Sequence, residues 1–288
     1  MGPGMFPFRR MSALLFVLAT ALPASPGTRN TPGQGFPDSG VFIRQVRDAV
    51  RLDYELQSQF TYTEERRDVR VSRLGKVEVS PLRRFQVFPS SQPGRTYKRL
   101  IAVDGKPLSP EELARRDCEH EQHLAELAER QRRETPQARA ERLEEVREEL
   151  ARRDAILDDV LAVFEPAFEG RELIDGQEVF VIGLTPREHA RVTTREGGWL
   201  KNFAGRVWIA EADRQIVRVD LHAEDDVTMG WGILGRVHEG SRFMFARRRV
   251  GNAWLPAEVV LDASGRTLLF RRFDIDLVTT YSNYERIQ

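Results

Sequence analysis

The C-terminal part of the chain constrains the fold most, because from Glu172 onward short apolar segments alternate with turn residues. Asp175-Gly176 separates two apolar runs between Leu173 and Ile182, which predicts a tight hairpin. The stretch from Gly205 to Leu221, GRVWIAEADRQIVRVDL, has apolar residues alternating on both sides of a charged centre. We expect this stretch to form a second hairpin with the charges at its solvent-exposed tip, and the chain to build an antiparallel sheet from such hairpins.

Further strand segments precede and follow these hairpins. Residues 241–250, 257–262, 266–273 and 275–281 have strand patterns, with turns predicted at Gly251-Asn252 and Ser264-Gly265. Residues 60–71 alternate with a phase slip of one residue, which predicts one long strand with a bulge or bend. Residues 77–87 and 95–103 complete the set, and Asp104-Gly105-Lys106 forms a tight turn. These segments predict an α+β fold with about nine or ten antiparallel strands, in a sheet whose closure toward a barrel would remove exposed edges.

An amphipathic helix precedes the first strand. It begins at Asp38 or Ser39, either of which is a suitable N-cap. The residues at helical spacing on its apolar face are Ile43, Val46, Val50 and Tyr54. Such a helix must pack its apolar face against another part of the protein.

A helical insertion is predicted at residues 109–166. Ser109-Pro110 and Thr135-Pro136 each combine an N-cap with proline at the first helical position, so two helices are expected. The first has a poor apolar stripe and should be mostly solvated. The stripe of the second helix consists of Leu143, Val146, Leu150, Leu157, Leu161 and Phe164.

The N-terminal residues are typical of a secretory signal peptide. Arg9 and Arg10 precede the apolar run from Ala13 to Leu18, and Ala19-Thr20-Ala21 supplies small residues for cleavage. A short buried helix is the alternative. We therefore expect a signal peptide at residues 1–21, a flexible leader at 22–39 and a folded domain at 40–288, with the protein located in the periplasm.

Two absences refine this localisation. Cys118 is the only cysteine, so we expect no intrachain disulfide. No cysteine directly follows the apolar run, so we expect no lipid anchor there. No apolar run reaches the ~20 residues of a spanning helix, so no transmembrane segment is expected in the mature chain.

Motif searches give no specific catalytic or cofactor site. The chain has 44 basic and 44 acidic residues, a balance that does not favour a nucleic-acid partner. Residues 230–235 match GxGxxG but lack the following helix that a dinucleotide site requires. Cys118 and His120 lie on roughly opposite helix faces, which leaves His120 and His123 without enough converging ligands for a metal. We therefore predict no catalytic residue, no metal and no cofactor.

Apolar side chains at strand spacing remain as the candidate site. A curved sheet lined by them must be covered by helices, filled by its own core, or occupied by an apolar ligand, and the sequence leaves these alternatives open. The candidate lipid-binding residues are Tyr62, Val207, Ile209, Val217, Val219, Phe243, Phe245, Leu268 and Phe270. In the second hairpin we expect Val217 and Val219 to share one face.

Several segments carry a resemblance to a known family. They are FTYTEER at 60–66, DGKPLSPEE at 104–112, the hairpin at 205–221, WLP at 254–256 and YSNY at 281–284. With the signal peptide and N-terminal helix, they resemble the LolA/LolB/RseB-like lipoprotein-carrier superfamily, and more closely a group of exported bacterial proteins related to outer-membrane lipoprotein sorting. The resemblance spans about residues 40–287, apart from the helical insertion, which is not part of the basic carrier pattern. The hairpin departs from that group at Ala210 and Arg214, where an aspartate and a turn glycine are usual.

The resemblance implies an unclosed antiparallel β-barrel, here of about nine to eleven strands. Its apolar face would bind lipoprotein acyl chains or another lipid, in a periplasmic carrier or binding protein without catalysis. The charged helices would serve as a lid or contact an envelope protein partner. Two alternatives stay open: an envelope interaction or sensing module whose cavity is filled by its own side chains, and a hydrolase with an unrecognised site.

Overall fold

The computed structural model describes residues 39–72, 76–90, 95–229, 235–267 and 271–287. The predicted signal peptide and leader lie outside these ranges, apart from residue 39, so both remain predictions. Most of the GxGxxG match and the candidate residues Leu268 and Phe270 also lie outside the described residues.

Four helices and fifteen strands make up the described part of the chain. The helices are α1 (Ser39–Gln57), α2 (Pro110–Arg132), α3 (Pro136–Val163) and the short α4 (Arg195–Leu200). The strands of the first half are β1 (Phe60–Arg66), β2 (Val69–Val71), β3 (Val77–Val79), β4 (Arg83–Phe88), β5 (Tyr97–Val103) and β6 (Lys106–Pro107). The strands of the second half are β7 (Phe164–Ile174), β8 (Gln177–Pro186), β9 (Phe203–Ala210), β10 (Ile216–Ala223), β11 (Val227–Met229), β12 (Gly235–Val237), β13 (Arg242–Val250), β14 (Ala253–Thr267) and β15 (Arg271–Arg286).

The main sheet is antiparallel and open. Its strand order is β6-β5-β4-β1-β15-β14-β13-β10-β9-β8-β7, with β11 and β12 attached beside β14, and β6 and β7 are its two ends. The prediction of an α+β fold with an unclosed antiparallel barrel is confirmed. With 13 strands, the described sheet exceeds the expected number.

Local signals predicted two hairpin turns and two helix starts correctly. Asp104-Gly105 and Asp175-Gly176 both have positive φ at both positions, as a tight hairpin turn requires. The hydroxyl of Ser109 accepts a hydrogen bond from the backbone N–H of Glu112 at 3.2 Å, and Thr135 caps α3 in the same way.

Four strand predictions are wrong. Residues 77–87 form two strands, β3 and β4, in different sheets, and the single strand β15 contains both 271–273 and 275–281, which were predicted as parts of separate strands. Residues 60–71 do not form one bent strand, because β1 pairs with β4 and β15 in the main sheet whereas β2 pairs with β3 in a separate two-stranded sheet. Ser264-Gly265 is not a turn, because it lies inside β14, opposite Asp274 and Phe273. Gly265 is needed there for close packing: a Cβ at this position would lie 2.1 Å from the backbone oxygen of Arg236.

The two long helices of the insertion differ in burial. Helix α2 has no buried residue among those described, as predicted, whereas the last two turns of α3 bury Ile156, Leu157 and Val163. The first half of α3 is solvated, and Leu143 and Leu150 of its predicted stripe are 43% and 54% exposed. Among the described helices, none combines the length and apolar content needed to cross a membrane.

Candidate functional site

One face of the sheet can be followed from strand to strand by its register, because directly opposite residues share a face. We call it the α1 face, since helix α1 packs on it. Its central row runs across β8, β9, β10, β13, β14 and β15 through Ile182, Val207, Val219, Phe245, Val259 and Thr279.

Helix α1 covers the part of this face formed by β8, β9, β10 and β13, and it also approaches β14. Phe42 and Val46 are buried in the core that these strands line, and Val50 packs against it. The ring of Phe42 meets that of Phe180 edge-on, with 5.5 Å between centroids, a favourable arrangement for aromatic rings. This part of the α1 face is therefore filled by the protein's own side chains.

Helix α3 holds α1 in place from outside through ion pairs. Arg51 donates two hydrogen bonds to the carboxylate of Asp154, at 3.0 and 2.9 Å, and Arg47 pairs with Asp158 at 2.7 Å. These charges are largely solvated, so they contribute orientation more than stability.

The buried carboxylate of Asp159 anchors the end of α3 to the loop before α4. It accepts backbone hydrogen bonds from Thr193 at 2.8 Å and Thr194 at 2.6 Å, and both hydroxyl groups donate to it as well. Burial alone would raise the pKa of Asp159, but these hydrogen bonds outweigh burial and hold the pKa below its usual value.

The nine candidate residues divide into four groups. Val207, Ile209, Val219 and Phe245 lie in the core beneath α1, and Phe243 packs at its margin. Tyr62 lies on β1, with its ring 5.9 Å from that of Tyr281. Val217 lies in a different cluster, with Trp208 and Trp254, and Leu268 and Phe270 are outside the described residues.

The expectation that Val217 and Val219 share a face is wrong. The β9–β10 register shifts between Ile216, which is opposite Ile209, and Arg218, which is opposite Trp208. Two residues of β10 therefore advance over one of β9, which is a β-bulge that places Val217 on the far side of the sheet. A bulge depends on pairing between strands, so the alternation along one strand did not reveal it.

The α1 face continues along β13, β14 and β15 as a partly exposed apolar strip, of which Phe243 and Val259 still pack against the core beneath α1. Phe243, Leu261 and Leu277 lie directly opposite one another on β13, β14 and β15, and Val259 is next to them. All four are only partly buried, unlike Phe245 in the row beneath α1. We call these four residues the apolar strip. Large partly exposed apolar side chains in one row are typical of a surface that binds an apolar partner.

A buried carboxylate lies on the same face, past the apolar strip. Glu64 of β1 is opposite Tyr281 of β15 and Phe85 of β4, and it is only 1% exposed. Its Oε2 accepts a hydrogen bond from Lys98 Nζ at 2.6 Å, and Arg66 Nη1 lies 3.1 Å from Oε1. We call Glu64, Lys98 and Arg66 the charged end of the α1 face.

The charged tip of the β9–β10 hairpin is packed rather than fully solvated. Glu211 pairs with Arg171 at 3.2 Å, and Asp213 accepts a hydrogen bond from Arg249 at 2.9 Å. Arg214 has φ +60 and occupies the position where a turn glycine is usual. Its guanidinium lies 5.5 Å from the ring centroid of Phe42, so the tip contacts α1 and the expectation of a solvent-exposed tip is only partly correct.

His120 of α2 packs against an aromatic ring, and Cys118 of the same helix is exposed. The ring of His120 stacks on Tyr97 at 4.0 Å, and the Tyr97 hydroxyl donates to Asp117 at 2.8 Å. Burial, followed by the hydrogen bond to Asp117, raises the pKa of Tyr97 to about 12. The described residues contain no group of three or more acidic, histidine or cysteine side chains arranged to hold a metal.

Two surface cavities lie away from the candidate residues. One, of about 380 Å³, is lined by β5, β6 and the start of α2, and the other, of about 410 Å³, lies between β3 and the start of β15. None of the seven candidate residues that the structure describes lines either of them.

Several residues of the α1 face were missed from sequence. Phe42 is four positions before Val46, so a helical stripe extended by one turn would have included it. Glu64 follows Phe60 and Tyr62 at period two, a spacing that places all three on one face. The partnership of Glu64 with Lys98 joins residues on strands that are not neighbours in sequence, and no local pattern indicates it.

No protein-family profile matches the chain, and neither does any curated protein. Among solved structures, a DUF1329 family protein from Desulfovibrio piger is 11% identical, with 86% of this chain and 92% of that chain covered and a TM-score of 0.29. A LolA superfamily protein from Nitrosomonas europaea is 9% identical, with coverages of 84% and 93% and a TM-score of 0.26. The MucA/MucB complex of Pseudomonas aeruginosa matches at 12% identity, with coverages of 83% and 94% and a TM-score of 0.21.

Proposed function

We propose that this protein binds an acyl chain, of a lipoprotein or another lipid, on the apolar strip of the α1 face, without catalysis and in the periplasm. The observation that carries this proposal is the row Phe243–Leu261–Leu277, which is apolar, continuous with the buried core and still partly exposed. Covering it would remove apolar surface from water, at roughly 25 cal/mol per Å² buried.

The strip suits an extended apolar chain better than a compact ligand. Its residues lie side by side on three antiparallel strands, which are ~4.8 Å apart, so the row is about 10 Å long. Each methylene group of a ligand that becomes fully buried there contributes about 0.8 kcal/mol before the costs of immobilisation. Helix α1 sets one border of the strip, because Phe42 and Val46 already occupy the neighbouring part of the face.

Mass spectrometry of organic extracts from the natively purified protein tests this proposal. We expect lipid in near-stoichiometric amount, and a fluorescent fatty acid should bind to the delipidated protein. A protein that carries no lipid and binds no acyl probe would refute the proposal.

A pair of variants on one strand localises the ligand. Leu277→Gln places an amide in the apolar strip and should weaken probe binding by about tenfold or more, since an unpaired polar group is costly in an apolar contact. Val278→Gln is the matched control, because Val278 is the next residue of β15, faces the other side and is 42% exposed. Equal binding by both variants would show that the strip is not the site.

A second candidate function is an envelope interaction module that binds a protein partner. It is favoured by the solvated half of α3, where Leu143 and Leu150 are exposed on a helix otherwise dominated by charges. For this function we expect the extracted protein to be free of lipid. The double variant Leu143→Gln and Leu150→Gln should then abolish crosslinking to the partner in intact cells while leaving the thermal stability unchanged.

A further inference from the structure

The charged end of the α1 face combines a buried anion with two partly exposed cations. Glu64 is almost fully buried, whereas the side chains of Lys98 and Arg66 are 33% and 29% exposed. A carboxylate in this position must be paired, because an isolated buried charge is strongly unfavourable. Together the three groups carry a formal charge of +1, and Arg66 also pairs with Asp68 at 3.3 Å, so Lys98 is the cation of this group that is available to a ligand.

The hydrogen-bonding capacity of this group is not exhausted among the described residues. An ammonium group has three donors, and the hydrogen bond from Lys98 to Glu64 Oε2 uses one of them. Glu64 Oε1 is buried and has no hydrogen bond of acceptable geometry, although Arg66 is close enough for an ion pair. The group therefore offers donors at its accessible edge and a buried acceptor behind them.

The charged end and the apolar strip belong to one surface. Glu64 is opposite Tyr281, which lies four residues beyond Leu277 on β15. Four residues of a strand span about 13 Å, and Tyr281 and Leu277 project from the same face. An amphiphile with its chain on the strip thus has a cationic group within reach of one end.

We propose that the charged end binds the anionic headgroup, a carboxylate or a phosphate, of an amphiphile whose acyl chain lies on the apolar strip. This inference rests on the proposed function and adds the ligand class and its orientation. Lys98 contacts the headgroup directly. Glu64 acts as a positioning residue, which holds the ammonium group in place and partly neutralises it.

The first test compares ligands that share an acyl chain and differ in headgroup. Binding of a fatty acid, its methyl ester and a lysophosphatidic acid of the same chain length is measured on the delipidated protein. We expect the two anionic ligands to bind about tenfold more tightly than the ester, the difference that one charge-assisted hydrogen bond supplies. Lys98→Gln should remove this preference and leave the ester affinity unchanged.

The second test predicts a change of opposite sign. Glu64→Gln removes the carboxylate that competes for Lys98, so the anionic ligands should bind more tightly than to the wild type, while the ester should not. Lys98→Arg should retain most of the preference, and Lys76→Gln is the control, because Lys76 is exposed and pairs with Glu78 on β3. A merely structural ion pair would weaken all ligands equally in the Glu64 and Lys98 variants.

The outcomes separate the two proposals. If the wild type binds none of the three ligands, the proposed function fails. If it binds the ester and the anionic ligands equally, acyl-chain binding stands and the headgroup site is overturned. A preference for only one of the anionic ligands identifies the headgroup as carboxylate or phosphate.

Discussion

Phe42→Ala tests whether α1 is part of the core or a loosely attached segment. The ring of Phe42 is 3% exposed and is enclosed by Phe180 and by the guanidinium group of Arg214. Truncation of a buried phenylalanine costs about 3–5 kcal/mol, which includes the cavity it leaves. The rigid strand that carries Phe180 cannot collapse into this cavity, so we expect a loss of about 4 kcal/mol in the free energy of unfolding.

Urea denaturation followed by tryptophan fluorescence measures this loss, with Leu52→Ala as the control. Leu52 is on the same helix and 57% exposed, so its truncation should change the free energy of unfolding by less than about 0.5 kcal/mol. The slope of the transition should be unchanged for both variants. If the two variants were equally stable, α1 would not pack on the sheet in solution, and the border of the apolar strip would be lost.

Three further substitutions probe the frame around this face. Gly205→Ala places a Cβ 1.9 Å from the backbone oxygen of residue 220, so we expect equilibrium denaturation to show a loss of about 3 kcal/mol or more in the free energy of unfolding. Gly198→Ala is the control, because no atom lies within 4 Å of the added Cβ, and it should be neutral or slightly stabilising. Leu157→Ala should cost about 2–5 kcal/mol and Leu150→Ala almost nothing, and equal values would show that the two halves of α3 do not differ. The folded-state pKa of Asp159 is lowered, so its contribution is complete above the unfolded pKa near 3.8 and is lost as the pH falls through the folded value. Asp159→Asn should therefore lower stability at pH 7 and flatten the acid limb of the stability curve, and an unchanged acid limb would contradict the assignment.

Sequence reasoning succeeded where the determining interaction is local. The turn at Asp175-Gly176 needs positive φ, and the start of α2 needs a hydroxyl at Ser109, so neighbouring residues are sufficient to predict both. It failed where two distant segments meet. Ser264-Gly265 is a residue pair typical of turns, but the structure needs glycine at 265 because β12 passes close to its backbone. The neighbouring residues do not distinguish a glycine required by a turn from a glycine required by close packing.

The candidate site shows the same division. Phe243 and Phe245 were both candidates, and they share one face of β13, yet only the position of α1 makes Phe245 core and leaves Phe243 at the margin. Where a helix stops covering a sheet is decided by its packing and not by the strands beneath it. The sequence therefore indicated which face is apolar, but not which part of that face is accessible.

This division makes stability and binding separable by position. Residues beneath α1, such as Val219, contribute to the core that keeps the sheet and helix together, so their truncation should lower stability in the absence of any ligand. Leu261 and Leu277 are only partly buried and do not belong to the core cluster beneath α1, so their substitution should mainly reduce ligand affinity. A bound lipid raises the free energy of unfolding by an amount that grows with the ratio of the lipid concentration to its dissociation constant. This ligand-induced stabilisation should vanish in variants of the apolar strip and persist in variants of the core beneath α1.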